Sequence, residues 1–242
     1  MPWNFPFWQA FRFGIPTLIA GNVSVLKHSN AVPQCALAIE DSFKEAGFPE
    51  NVFKTVITDH EAVAEIVKSD LTQGVSLTGS TGAGAKIAEL AGRNLKKVVL
   101  ELGGSDPFIV LDDADVEAAA KNAVVGRTMN SGQSCIAAKR FIVTRKVSEE
   151  FSKKFAEYTN ALVVDNPMDM KTDVGPLVNK EGLMQIEMQV ADAVSKGANV
   201  MAGAERLKRK GYFYRPTVLK NVKSNMKVVT EEVFGPVAPV IV

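Results

Sequence analysis

The sequence predicts two successive α/β domains built on parallel sheets. Apolar strand-like runs alternate with helical patterns along most of the chain, and the alternation stops and restarts at the double glycine Gly103-Gly104. Composition agrees. The 242 residues are 46% hydrophobic and 23% charged, an ordinary globular balance that excludes disorder, collagen and coiled coil.

The elements follow in order. Asn22 to Lys27 reads as a buried strand, and Ala31 to Ala46 as a helix with Pro33 near its start and Gly47 just past its end. Ala36, Ile39 and Phe43 recur there at helical spacing. Then come strand Val52 to Ile57, helix His60 to Lys68 capped by Asp59, strand Gly74 to Leu77, helix Gly84 to Leu95 and strand Lys97 to Glu101. This β-α-β-α-β-α-β order predicts one parallel sheet with crossover helices, ending at the double glycine and giving domains 1–102 and 103–242. The second domain starts with strand Pro107 to Leu111, a helix from Asp115 to Met129, strand Lys139 to Val143 and helix Ser148 to Leu162. Helix Glu181 to Lys196, strand Asn199 to Ala202 and a strand Tyr212 to Leu219, broken by Pro216, complete it.

Charge and composition narrow the partners. Twenty-eight Lys and Arg against 27 Asp and Glu leave a net charge of +1, so no global basic field points to nucleic acid or to anionic lipid. Cys35 and Cys135 cannot form a disulfide framework, and His28 and His60 alone cannot build a His-based metal site, so no metal is expected. No segment reaches the roughly 18 continuous apolar residues of a membrane span, and no leader pattern opens the chain; a cytoplasmic protein is expected. Both ends are unusual. The aromatic, proline-rich start Met1 to Trp8 and the apolar finish Gly235 to Val242 suggest a chain cut through a folded unit.

Three places could carry chemistry. The run Ser76 to Ala85 closes a strand and opens a helix, where backbone N–H groups and the helix dipole favour a phosphate; Ser80 adds a hydroxyl. Gly79, Gly82 and Gly84 do not match a dinucleotide fingerprint, so a plain strand-to-helix turn stays open as a reading. Cys135 lies in the polar, glycine-containing turn Asn130 to Ile136, an unusual setting for a thiol, whereas Cys35 borders an apolar helix stripe as a packed core residue does. His28 and His60 read as surface or strand-end imidazoles, so a carboxylate is the better base for a nucleophilic thiol. Glu101 ends an apolar parallel strand, where ligands collect. An apolar frame suits an acid that takes and returns protons near neutral pH; an ion pair with Lys96 or Lys97 is the alternative.

Six motifs in order resemble those of the NAD(P)-dependent aldehyde dehydrogenases: Pro2-Trp3-Asn4-Phe5-Pro6, Gly21 to Lys27, Leu77-Thr78-Gly79-Ser80, Leu100-Glu101-Leu102-Gly103-Gly104, Gly132-Gln133-Ser134-Cys135 and Glu231 to Val237. The resemblance implies a Rossmann-like cofactor region followed by a catalytic α/β domain, and NAD or NADP as cofactor. It implies Cys135 as nucleophile, Glu101 as the base that activates the hydrolytic water, and Asn4 with the Cys135 N–H as oxyanion hole. Lys27 would hold the adenosine ribose, Gly79 and Ser80 the pyrophosphate turn, Glu232 the nicotinamide ribose, and Phe234 would lie against the nicotinamide. Asn30 stands where NAD-preferring relatives carry a ribose-binding glutamate, which implies that NADP is accepted at least comparably.

The stretches after Leu100 and Cys135 are most similar to the succinate-semialdehyde dehydrogenase branch. Arg12 falls where some members bind the substrate carboxylate; a second arginine of that kind is Met129 here. An aldehyde is then the small-molecule partner, and a homo-oligomer or association through exposed sheet edges is expected. Family members continue past both ends, so the resemblance implies truncation, with Asn4 at a fraying terminus and the last strand left with an open edge. Little activity is expected of such a chain. Two other readings stand beside it: a silent remnant that folds and at most binds a nucleotide, and a Cys-dependent hydrolase that needs no dinucleotide.

Overall fold

In the computed structural model, which describes residues 1–242, the first element is a helix that the apolar pattern did not announce. Helix α1 (Pro6–Ile19) has proline at its first position, where a missing N–H costs nothing, and a second, Pro16, in its interior. The Thr17 hydroxyl donates to the Phe13 carbonyl at 2.6 Å beside that interior proline. Two prolines in a 14-residue stretch mask the helical period; Gln9, Ala10 and Gly14 nevertheless form its buried face.

The chain divides into two compact units, Met1–Gly103 and Gly104–Val242. In the first, α1 leads to β1 (Ser24–Lys27), α2 (Pro33–Glu45) and β2 (Phe53–Val56), with β1 and β2 parallel. Helix α3 (His60–Lys68), capped by the Asp59 carboxylate on the Ala62 N–H at 2.9 Å, precedes β3 (Gly74–Thr78), α4 (Thr81–Arg93) and β4 (Lys97–Glu101). β3 and β4 are parallel too. Helix α4 starts three residues earlier than expected, because Ser80 supplies its cap.

The expected continuous sheet is not formed: β1–β2 and β3–β4 are two separate two-stranded sheets. The side of β1 away from β2 is taken up by the start of the chain. Ser24 bonds toward β2, so alternation turns Lys27 to the other side, where the Met1 N–H donates to the Lys27 carbonyl at 2.9 Å. The Ser29 N–H returns a bond to the Met1 carbonyl at 2.9 Å. Met1 thus occupies the side of β1 away from β2. The same bonds correct the expectation that Asn4 frays. His28 adds to them, because it is buried rather than a surface imidazole: Nδ1 accepts the Ser29 N–H at 2.8 Å, which leaves Nε2 to donate to the Pro6 carbonyl at 2.9 Å. Burial lowers its pKa, so it stays neutral and fastens the first turn of α1 to the end of β1. A small aromatic core backs this half, with Phe43 stacked on Phe53 at 4.6 Å.

The second unit contains β5 (Asp106–Val110), α5 (Val116–Thr128), β6 (Ala138–Val143), α6 (Arg145–Asn160), α7 (Lys180–Ser195), β7 (Asn199–Ala202), β8 (Thr217–Lys220), the short α8 (Lys227–Thr230) and β9 (Val237–Ile241). One sheet runs in the order β5-β6-β9-β8-β7, parallel except for the β7–β8 pair. The strand expected from Tyr212 begins only at Thr217, after Pro216. β9 lies in the middle, bonded to β6 and β8, so the open edge expected of the last strand belongs instead to β5 and β7. Period-2 alternation sends Val218, Ala238 and Val240 into one core with α5 and α6, and Leu219 and Val237 into another with α7. No helix of the chain is long and apolar enough to cross a membrane.

A charge cluster joins α5 to α6. Glu117 accepts from Lys154 at 2.5 Å, from Lys121 at 2.9 Å and from the Tyr158 hydroxyl. The Lys154 bond, then those of Tyr158 and Lys121, hold its carboxyl down to about 2. A depressed acid stabilises the fold above its unfolded value of 4.5 and loses that contribution as pH falls toward 2. The stability difference between the parent chain and Glu117→Gln, followed by urea unfolding, should therefore close between pH 4.5 and 2. It should also shrink in salt, since the cluster is exposed. A difference independent of pH would count against this account.

Candidate active site

Glu101 closes β4, and its neighbours come from distant sequence. The Arg12 guanidinium on α1 donates to Glu101 Oε1 at 3.3 Å, with both side chains about half exposed (52% and 51%). The apolar frame expected around this acid is therefore absent, and its ion partner is Arg12 rather than Lys96 or Lys97. Two sequence-predicted residues, one for substrate and one for water activation, thus meet across 89 positions. The Glu101 carbonyl accepts the Gly79 N–H at 3.0 Å, which extends the β3–β4 register into the turn before α4.

Ser80 ends that turn. Its hydroxyl accepts the Ala83 N–H at 3.3 Å, and the N–H groups of Thr81 and Gly82 in the first helical turn have no intrahelical acceptor. A Cβ built at Gly82 meets nothing within 4 Å, so the helix start is open to a phosphate. Gly84 instead serves packing, since a Cβ there would come within 2.5 Å of the Leu102 side chain, and its absence lets α4 sit on the strand end. Lys27 donates to Asn30 Oδ1 at 3.4 Å, placing a cation beside a neutral amide at the end of β1. That pair carries no negative charge against a ribose phosphate, and these residues fit a phosphorylated dinucleotide. Asn4 is half-buried immediately before α1.

In the second unit, α5 ends at Thr128 and the chain turns through Asn130 (φ 53°), Ser131 (φ 55°) and Gly132 (φ 72°) before reaching Cys135. Two successive non-glycine residues in left-handed conformation are costly, about 1–2 kcal/mol each. Local bonds offset this: the Ser131 hydroxyl donates to the Gly175 carbonyl at 3.1 Å, the Gln133 N–H to the Asn130 carbonyl at 3.0 Å, and Gln133 Oε1 accepts the Val178 N–H at 2.9 Å. Gly132 presses on backbone, since a Cβ there would stand 2.4 Å from the carbonyl of Gly235.

Two buried cations hold this loop from inside. Arg127 donates to the carbonyls of Gly132 at 2.5 Å and Ala138 at 2.9 Å; Lys139 donates to the Cys135 carbonyl at 2.6 Å. Both are 1% exposed. Burial brings Arg127 down to about 10 and lowers Lys139, each opposed by the charge of Glu232. Glu232 Oε1 lies 3.4 Å from the Lys139 ammonium and accepts the Gly104 N–H at 3.4 Å. Buried Gln189 on α7 donates to the Glu232 carbonyl at 3.1 Å, which fixes the backbone beside half-buried Phe234.

Sequence reasoning missed Arg127, Lys139 and Gln189, although two left a signal. Lys139 shares strand parity with Phe141 and Val143, and Arg127 continues the buried stripe of Val116, Ala120, Ala123 and Val124. A charge on an apolar face needs a partner, and here the partners are loop carbonyls. The two thiols differ less in burial than expected, since Cys35 and Cys135 are both intermediate. What distinguishes Cys135 is its gripped loop.

Known proteins match the chain over nearly its whole length. The sequence profile of the Aldehyde dehydrogenase family matches residues 1–242. Succinate-semialdehyde dehydrogenase [NADP(+)] 1 of Mycobacterium tuberculosis (strain ATCC 25177 / H37Ra) is 50% identical over 240 residues, 99% of this chain and 52% of that protein. The solved succinate-semialdehyde dehydrogenase from Burkholderia pseudomallei is 38% identical with a TM-score of 0.96, covering 99% of this chain and 50% of that one. Lactaldehyde dehydrogenase from Escherichia coli, 41% identical, gives a TM-score of 0.95 over 99% of this chain and 51% of that one. The chain spans about half the length of the curated relatives it matches. With the profile running from its first residue to its last, the chain belongs to the aldehyde dehydrogenase family.

Proposed function

We propose that this chain carries the groups that oxidise an aldehyde, with succinate semialdehyde as the best-supported substrate, to its carboxylic acid with NADP as the favoured cofactor. One observation carries the reading: Cys135 sits on a loop whose backbone is gripped on both sides of the thiol, as a nucleophile that must be aimed requires. The 50% identity to a protein named an NADP-dependent succinate-semialdehyde dehydrogenase supports the substrate class. The TM-score does not choose a substrate, because lactaldehyde dehydrogenase fits as well.

In this reading the Cys135 thiolate adds to the aldehyde carbonyl, and the oxygen that gains charge is received by the Asn4 amide and the Cys135 N–H. The bound nicotinamide group supplies a hydride acceptor. Glu101 takes a proton from the water that attacks the resulting thioester, releasing the acid and returning the thiolate. Arg12 is suited to a substrate carboxylate, since its guanidinium is half exposed and already holds a carboxylate, that of Glu101. Lys27 and Asn30 receive the adenosine ribose and its phosphate, Gly79 and Ser80 the pyrophosphate, Glu232 the nicotinamide ribose, and Phe234 the ring beside it. A cytoplasmic location and association through the open edges of β5 and β7 belong to the same reading.

Succinate semialdehyde oxidation followed by NADPH or NADH absorbance tests it. Turnover of this half-length chain should be low but at least as fast with NADP as with NAD, and Glu101→Gln should slow the steady state by about 100-fold or more while sparing the first hydride burst. Equal loss in burst and steady state would reject the role of Glu101, and strong NAD selectivity the role of Asn30. Binding of nucleotide without any turnover would favour a silent remnant.

A further inference from the structure

Arg127 and Lys139 are the two largest side chains in the interior of the chain. Buried cations are costly, and apolar residues of similar volume are commonly as stable or more so. Only one carboxylate, that of Glu232, both faces them electrostatically and lies within ion-pair distance of either. Apart from Arg127 Nε, which is buried without a partner, and the Lys139 contact with Glu232, their donors go to three carbonyls at a regular interval: Gly132, three positions before Cys135, Cys135 itself, and Ala138, three positions after. The planar guanidinium closes the loop from both sides, and the ammonium fixes the peptide plane that follows the nucleophile.

We propose that Arg127 and Lys139 are positioning residues for Cys135, and that Lys139 couples the Cys135 backbone to Glu232. The proposal rests on the reading of Cys135 as nucleophile and of Glu232 as a cofactor ligand. One ammonium spans the Cys135 carbonyl at 2.6 Å and Glu232 Oε1 at 3.4 Å, so the same cation touches both ends of the reaction. Ribose hydroxyls that donate to the Glu232 carboxylate compete with Lys139 for its lone pairs, and the ammonium then settles more fully on the Cys135 carbonyl. Occupation of the cofactor site is thereby reported to the thiol through one side chain. The link runs along a strand-to-loop connection already held by Gln189 on the Glu232 side and by Arg127 on the Cys135 side.

The test uses the full chain, NADP and iodoacetamide, with peptide mapping to separate Cys135 from Cys35. In the parent chain, saturating NADP should change the alkylation rate of Cys135 several-fold. In Lys139→Met that change should vanish, and the hydride burst with succinate semialdehyde should fall about 10- to 100-fold, the effect of displacing a reacting group by about 1 Å. Lys139→Arg, which keeps donors for both partners, should restore part of the NADP effect; a general packing defect would not be rescued in this way. Arg127→Met should slow alkylation with and without NADP alike. If Lys139→Met does not fold, Lys139→Gln decides, since it keeps a neutral donor for the Cys135 carbonyl but loses the charge toward Glu232. An NADP effect that survives in Lys139→Met or Lys139→Gln, or that is absent from a parent chain shown by calorimetry to bind NADP, overturns the coupling. Turnover that persists in Cys135→Ala, or failure of the parent chain to bind NADP, removes instead the functional reading beneath it.

Discussion

Cys135→Ala is expected to lower aldehyde oxidation by about 10⁴-fold or more, because the nucleophile makes the only covalent bond to substrate in the proposed reaction and no neighbouring group replaces it. The fold should not change. Cys135 is half-buried and its side chain fills no core cluster, so the melting temperature of the variant should stay within a few degrees of the parent. Cys35→Ala is the matched control: a thiol of similar burial on α2, expected to leave turnover within a few-fold. Aldehyde-dependent NADPH formation in the two variants decides the matter. Loss of turnover in Cys35→Ala with retention in Cys135→Ala would reverse the assignment of the two thiols.

A large structural effect beside the thiol loop is expected from Gly132→Ala. The backbone there has φ of 72°, and a Cβ would stand 2.4 Å from both carbonyl atoms of Gly235 and 2.7 Å from the Pro236 nitrogen. Neither neighbour is a flexible side chain. Gly235 is itself closed in, since a Cβ on it would meet Ile186 at 2.7 Å. One of the two backbones must therefore move. The cost combines left-handed strain of about 1–2 kcal/mol with displacement of packed chain, together about 3 kcal/mol or more. For a unit of this size that is a drop in melting temperature of roughly 10 °C. Because Gly132 stands three residues before Cys135 and its carbonyl is held by Arg127, turnover should fall with stability. Gly92→Ala on α4 is the contrast, because its Cβ meets nothing within 4 Å, and it should be neutral or slightly stabilising. Calorimetric melting of the two variants measures both. Equal melting temperatures would show that the Gly132 and Gly235 backbones are not as closely packed as described.

Much of this is legible in the sequence. Strand and helix periods locate α2 to α7 and most strands, because an element with one apolar face writes its period into the chain wherever it lies. Ordered motifs point to Cys135 and Glu101 because each belongs to a turn or strand end that a short run of residues specifies, although the ion partner of Glu101 comes from distant sequence. Helix α1 is hidden by its prolines, which signal breaks to a reader of propensity while α1 holds its place through Thr17, His28 and a buried face.

Other features are pairings over long separations, and local sequence does not encode them. The Met1 backbone occupying the side of β1, the central place of β9, and the Arg12–Glu101 ion pair each join residues that no period or spacing relates. Lys139 shows where the two kinds of information meet. Its parity on β6 already sets a charge among apolar neighbours, which says that a partner must exist. That the partners are the carbonyl of Cys135 and the carboxylate of Glu232 was decided by the tertiary structure, because burial penalises an unpaired charge but does not name the group that relieves it.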